Sequence, residues 1–334
     1  MSVHGQEQGK LRVAVTLPDI VTIVEAVGGD LIEVVRIMPP GADPHSYTTT
    51  ADDVSKIQSA DLIVFANSEF LTFEGELAGN VGDVDTVDWP DYAAKGAVLK
   101  PFPGYDNNPH GFWLGFRNAR AIGEGVATAL IEHGLDSQAV LSNLTEFTQS
   151  LDSIDKVGRD LIASTGRERS AWVAMVPCIT YTIDNLGLSV GAIVMPEGAG
   201  TASGSGLLDI HRKLNSGEYA GIVCALSEKD SKPGEIARQI SFDTKAPVCY
   251  VKFLQADEGD SFWSISAYNA GAMAAAASSA VHNIYRNTNP VGSVVWVSII
   301  FILVIWLVML YRRMGSMAPA VRKGPPVSSR KKKS

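Results

Sequence analysis

Cysteine is nearly absent from this chain: three in 334 residues, Cys178, Cys224 and Cys249. So few exclude a disulfide framework as the source of stability. Cys224 and Cys249 lie within apolar strand-like runs, where a thiol packs as a small hydrophobe, and a bridge between those two stays open. Histidine is also scarce, at six. There is no His-Glu-x-x-His helix and no general base beside a second histidine, which argues against a metal-dependent hydrolase. Met1 to Lys10 holds no apolar targeting segment, and Val13-Ala14-Val15 already reads as a strand. An exported body needs such a segment, so it is expected to have been removed from this form of the chain or to precede Met1.

Acids are missing from one end. After Tyr311 come eight basic residues, Arg312, Arg313, Arg322, Lys323, Arg330, Lys331, Lys332 and Lys333, with no Asp or Glu among them. The whole chain has 28 basic and 36 acidic residues, so the part before Arg312 carries 20 against 36, a net charge of −16. Such an acidic body does not suit nucleic acid, whose phosphates require a basic face. It does attract cations. Just before the basic tail, Val291 to Tyr311 has no charged residue and includes Trp296 and Trp306. About 20 apolar residues span a bilayer, and the positive-inside rule puts the tail in the cytoplasm and the body outside. Only Arg286 to Pro290 separates this run from the last expected helix, which holds the body close to the membrane surface.

With 46% hydrophobic residues the body has material for two packed cores. Strand-like runs at Leu11 to Val15, Ile32 to Met38, Asp61 to Ala66 and Ala97 to Lys100 alternate with helical patterns. Ile20, Ile23, Val24 and Val27 recur at helical spacing, and Asn118 to Glu132 forms another apolar face. From Ser137 to Ala163 apolar residues follow steps of three and four: Val140, Leu144, Phe147, Leu151, Ile154, Val157 and Leu161. A helix of that length spans about 40 Å and reads as a rigid connector. The alternation then resumes, with strands expected at Ala171 to Val176, Val190 to Met195, Gly221 to Leu226 and Pro247 to Phe253. Helices are expected at Gly206 to Leu214, Pro233 to Ile240 and Ser264 to Tyr285, with a loop over Glu197 to Gly206. The fold class is therefore α/β: two lobes, each with a mainly parallel sheet flanked by helices, joined by one long helix. A C-terminal transmembrane helix follows. The expected layout is a disordered 1–10, an N-terminal lobe 11–136, a connecting helix 137–165, a C-terminal lobe 166–286, the span 291–311 and a cytoplasmic tail 312–334.

The segment Pro39 to Tyr47, PPGADPHSY, puts His45 on a turn directly after a strand. Pro39 and Pro40 stop the strand, Gly41 permits a tight turn, and Pro44 stiffens the approach to the imidazole. A second Pro-His turn recurs in Asn108-Pro109-His110-Gly111-Phe112-Trp113. PPGADPHSY, the preceding run Val24 to Met38, and NPHGFWLGFRNARAI (Asn108 to Ile122) resemble the zinc/manganese class of ABC-transporter solute-binding proteins. The resemblance covers roughly Leu11 to Tyr285. It implies a divalent cation, Zn2+ or Mn2+, held between two lobes and delivered to an ABC permease in the same membrane, with no catalysis.

By that resemblance the ligand positions fall at His45, His110, Val176 and Asp257, beyond the carboxyl ends of strands, where open α/β sheets bind ligands. Imidazole nitrogen with carboxylate oxygen suits zinc, and manganese when oxygen donors dominate. This chain departs from the family twice. The third position, in Val176-Pro177-Cys178-Ile179-Thr180-Tyr181, is a valine where the family has His, with Cys178 two residues on. After His110, Gly111 and Phe112 both precede the tryptophan, where the family has one residue. Gly111 is flexible enough to absorb the extra residue. Glu258 stands beside Asp257 as a second carboxylate, and the Cys178 thiolate is a further candidate ligand. The missing donor at Val176 leaves a second reading open: the same fold without a metal, serving as a binding or scaffold subunit of a membrane complex.

Overall fold

The computed structural model describes residues 10–196, 200, 202–256 and 259–284. The first sheet contains β1 (Leu11–Val15), β2 (Ile32–Arg36), β3 (Leu62–Val64) and β4 (Asp85–Val87), in the order β2-β1-β3-β4 and parallel throughout. Its helices are α1 (Pro18–Gly28), α2 (Ala51–Gln58), α3 (Thr72–Ala78), α4 (Trp89–Ala94) and α5 (Phe116–Glu132). Next comes α6 (Ser137–Ala163). The second sheet repeats the plan with β5 (Ala171–Ala174), β6 (Ser189–Ile193), β7 (Tyr219–Ala225) and β8 (Val248–Val251), in the order β6-β5-β7-β8, again all parallel. Around it lie α7 (Thr180–Asn185), α8 (Gly204–Ser216), α9 (Lys232–Thr244) and α10 (Phe262–Ile284).

The buried stretches of the central strands are apolar because helices cover both sheet faces. Val13, Ala14 and Val15 in β1 are buried, as is every residue of β7. α6 buries Val140, Phe147, Leu151 and Ile162 on one side and packs against α1, α5 and α10. It therefore touches elements from both halves of the chain, and its amphipathic stripe is what orders it. The apolar residues divide accordingly: one core surrounds the first sheet, and two smaller ones lie on opposite faces of the second.

Three expectations need correction. Ala97 to Lys100 is not a strand. The Val98 N–H is taken by Asn118 Oδ1 at 2.9 Å, and its carbonyl accepts from Asn118 Nδ2 at 3.0 Å. Lys100 donates its N–H to the Tyr181 hydroxyl at 2.9 Å. Side chains thus occupy the backbone groups that a sheet partner would need. The fourth strand is instead β4, three residues long with two of them exposed, a pattern with no apolar run to mark it. The third correction concerns Cys224 and Cys249. They lie on neighbouring strands but face opposite sides of the sheet, one in each of the two small cores, and both are free thiols. Burial pushes each up to about 12.

Among the described residues no helix is long and apolar enough to cross a membrane. The run Val291–Tyr311, the basic tail and residues 1–9 lie outside the described residues.

Candidate metal site

His45 is held by its own turn. Ile37 and Met38 extend the pairing of β2 with N–H bonds to the carbonyls of Val15 (3.0 Å) and Thr16 (3.2 Å), and Pro39 ends it. Asp43 then closes an Asx turn: its Oδ1 accepts the His45 N–H at 3.0 Å, and its Oδ2 accepts the Ser46 hydroxyl at 3.0 Å. Tyr47 pins the far end by donating its hydroxyl to Asp53 Oδ2 at 2.9 Å. Pro44 is buried beneath, while His45 itself is exposed. The imidazole projects from a fixed backbone.

His110 is placed by Asn108. The Asn108 side-chain oxygen accepts the His110 N–H at 3.0 Å, and its Nδ2 donates to the Pro177 carbonyl at 3.1 Å and to Thr180 Oγ1 at 3.0 Å. Tyr181 adds a bond from its hydroxyl to the Asn108 carbonyl at 2.7 Å. Asn108 is fully buried, and His110 is nearly so. One amide thus ties the histidine segment of the first half to the start of α7 in the second.

The two imidazoles meet. Their ring centroids are 5.6 Å apart and the planes are tilted by 49°. The half-buried Phe70 lies edge-on to both, at 4.8 Å from His110 and 5.7 Å from His45, and Tyr105 reaches His110 at 5.5 Å. Phe70 is positioned in turn by Glu74. The Glu74 carboxylate is buried and accepts the Ala66 N–H at 2.9 Å, the Asn67 N–H at 2.7 Å and the Thr16 hydroxyl. Asn67 Oδ1 then accepts the Phe70 N–H at 3.1 Å. Burial raises the Glu74 carboxyl to about 7, against the pull of those three bonds.

From the second half, Val176 follows β5 and lies buried in the core with Ile179, Ile183 and Val251. Its environment is that of a packing residue. Cys178 is half-buried. Among the described residues no three His, Cys, Asp or Glu side chains gather as a metal-holding group. Asp257 and Glu258 lie outside the described residues. The chain leading to them is well anchored: Gln255 donates its N–H to Asp19 Oδ1 at 2.8 Å and accepts the Gly41 N–H at 2.8 Å.

Phe70, Glu74, Asn108 and Asp19 were not legible as site residues. For Asn108 a signal existed, an Asx-forming residue just before Pro-His; the other three act through contacts distant in sequence.

These features can be set beside known proteins. The family model for the periplasmic component A of zinc-uptake complexes, ZnuA, matches residues 13–276. The metal ABC transporter substrate-binding lipoprotein SsaB of Streptococcus sanguinis is 27% identical over 283 residues, 79% of this chain and 88% of that protein. The manganese ABC transporter substrate-binding lipoprotein PsaA of Streptococcus anginosus is 27% identical over 280 residues, 78% of this chain and 87% of its own. Among solved structures, FpvC from Pseudomonas aeruginosa in complex with Mn2+ superposes with a TM-score of 0.67 at 18% identity, covering 80% of this chain and 98% of that one. The periplasmic zinc-binding protein TroA from Treponema pallidum gives 0.63 at 20% identity, covering 80% and 99%. At these identities the structures speak for the fold, and the family model for the family. The chain belongs to the ZnuA family of metal-binding ABC-transporter substrate-binding proteins, which are not enzymes.

Proposed function

We propose that this chain captures a zinc or manganese ion between its two lobes and presents it to an ABC permease, while held at the outer face of the membrane by its own C-terminal span. The observation that carries the reading is the approach of His45 and His110, from two separately braced segments, to 5.6 Å between ring centroids. Two imidazoles at that separation suit a borderline divalent ion. Asp257 and Glu258 supply the oxygen donors in this reading, and Cys178 remains a further candidate whose thiolate would favour zinc. The anchoring of Gln255 supports a role for the carboxylates that follow it.

The membrane arrangement rests on sequence. Val291 to Tyr311 is long enough to span a bilayer, and the acid-free basic tail beginning at Arg312-Arg313 assigns the cytoplasmic side. The relatives SsaB and PsaA are lipoproteins; in this reading the C-terminal segment anchors the chain. Lobes 11–136 and 166–286 with the connecting helix 137–165 form the extracytoplasmic body.

One observation favours a second reading. Val176 is buried among apolar neighbours at the third ligand position, which fits a solute-binding fold reused without metal as a binding or scaffold subunit. Calorimetric titration of the chelator-stripped full chain in detergent with zinc and with manganese, beside His45→Ala, separates the two. Saturable one-to-one binding lost in the variant supports metal capture; no heat with either ion leaves the scaffold reading.

A further inference from the structure

Asp19 opens the first turn of α1 and is 3% exposed. Its Oδ1 accepts the N–H of Gln255, a residue 236 positions away in the loop after β8. Its Oδ2 is buried with no hydrogen-bond partner among the described residues. Gln255 is 2% exposed and is gripped twice more: its Nε2 donates to Thr22 Oγ1 at 3.2 Å, and its carbonyl accepts the Gly41 N–H at 2.8 Å. Gly41 belongs to the turn that carries His45. A single residue of the second lobe is therefore held by α1 and by the His45 turn together.

A buried carboxylate is a costly way to hold the Gln255 N–H, because its desolvation outweighs what that bond, its own backbone N–H and the Trp113 side chain return. A neutral amide or hydroxyl would satisfy the same donor. Such an arrangement is retained where it fixes a geometry that function needs. The geometry here is the spacing between the His45 turn and the second lobe. We infer that Asp19 is a positioning residue which, through Gln255, latches the His45 turn to the loop after β8 and so sets how long a bound metal ion is retained. This rests on the metal-capture reading above for its second half only; the latch itself does not require a metal.

The test uses the full chain in detergent with Asp19→Ala and Asp19→Asn, and zinc alone as probe. Hydrogen exchange is followed without metal over peptides covering 39–47 and 253–256, with β7 as internal reference. Zinc release into a chromogenic chelator is followed by stopped flow. Asp19→Ala is expected to speed exchange in both peptides by about tenfold and zinc release by about tenfold, with β7 unchanged, since one lost hydrogen bond is worth about 1.4 kcal/mol. Asp19→Asn keeps the Oδ1 acceptor and is expected to restore both. Unchanged exchange at 39–47 in Asp19→Ala overturns the latch. Faster exchange with wild-type zinc release overturns its role in retention, as does a variant that only lowers the melting temperature. Where the wild type binds no zinc, the capture reading and the retention role fall together while exchange still decides the latch. Thr22→Val, which removes the Gln255 side-chain bond together with the long 3.5 Å contact from the Phe262 N–H, serves the same comparison where Asp19→Ala does not fold.

Discussion

Gly111 stands so close to Cys178 that a Cβ on it would come within 2.3 Å of the Cys178 carbonyl oxygen and 3.1 Å of its carbonyl carbon. Gly111 also has φ 69° and ψ 18°, the left-handed region. Both properties explain how the chain accommodates two residues between His110 and Trp113. The extra residue is turned through a conformation that suits glycine, and its bare Cα lets two backbones from different halves of the chain touch beside the site.

Gly111→Ala is therefore expected to destabilise the protein by roughly 2–4 kcal/mol, combining left-handed strain with displacement of a backbone that cannot swing aside. Urea denaturation checks the stability. The same variant should weaken metal binding, because His110 is the adjacent residue. A loss below about 0.5 kcal/mol, the level of a neutral surface change, would mean that the approach to Cys178 relaxes freely.

The position that the sequence resemblance assigns to a third ligand can be refilled. Val176 is buried and follows β5, at the carboxyl edge of the second sheet, so Val176→His places a donor at that position. Zinc affinity is expected to rise about tenfold or more, equivalent to at least about 1.4 kcal/mol. The cost is about 1–3 kcal/mol of stability for putting an imidazole into an apolar contact. Calorimetry on wild type and variant under identical buffer reads the difference. Equal affinities would show that a side chain at 176 does not reach the ion.

Much of this was legible in sequence because it rests on local signals. The span of α6 follows from its apolar steps of three and four, and β1 and β7 from their apolar runs. The His45 turn follows from its prolines and Gly41. What was not legible depends on partners distant in the chain. Val98 looks like a strand residue until Asn118 occupies both its backbone groups. Phe70 carries no motif; it matters because Glu74 fixes Asn67, which fixes the Phe70 N–H. The short α2, α3 and α4 bury too few residues to set a period, and α7 buries four in a row, which shows none; α2 and α4 are marked by capping boxes, Thr50 with Asp53 and Asp88 with Asp91, and α4 also by Pro90.

Burial of Asp19 and Glu74 gives stability a pH dependence of definite sign. Desolvation raises the two carboxyls to about 7, from ordinary values of 3.8 and 4.5, and nearby Asp260 adds to the effect at Asp19. Between roughly pH 4 and 7 the folded chain holds protons that the unfolded chain has released, so their contribution to stability falls as pH rises through that window and levels off above it. Asp19→Asn cannot titrate. Its stability relative to wild type should grow by a few kcal/mol from pH 4 to pH 8, because each pH unit between the folded and unfolded pKa values is worth about 1.4 kcal/mol. Chemical denaturation at the two pH values measures this. A constant difference would place the Asp19 carboxyl in its ordinary range.

Two of the polar links that cross between the lobes should differ in weight. Lys100 Nζ pairs with Asp184, but both side chains are about a third exposed. Solvent screens such a pair, and Lys100→Ala is expected to cost less than about 1 kcal/mol. Asn108 is fully buried and makes three side-chain bonds, to the Pro177 carbonyl, to Thr180 Oγ1 and from the His110 N–H. Removing its amide leaves the His110 N–H to find a new partner away from water, while the Pro177 carbonyl keeps the Thr180 hydroxyl at 2.8 Å. Asn108→Ala is expected to cost about 2–4 kcal/mol. It should also weaken zinc binding, since the His110 backbone loses its anchor, whereas Lys100→Ala leaves affinity unchanged. Paired denaturation and titration of the two variants decides the matter: equal losses would mean that the exposed ion pair, rather than the buried amide, holds the lobes in register.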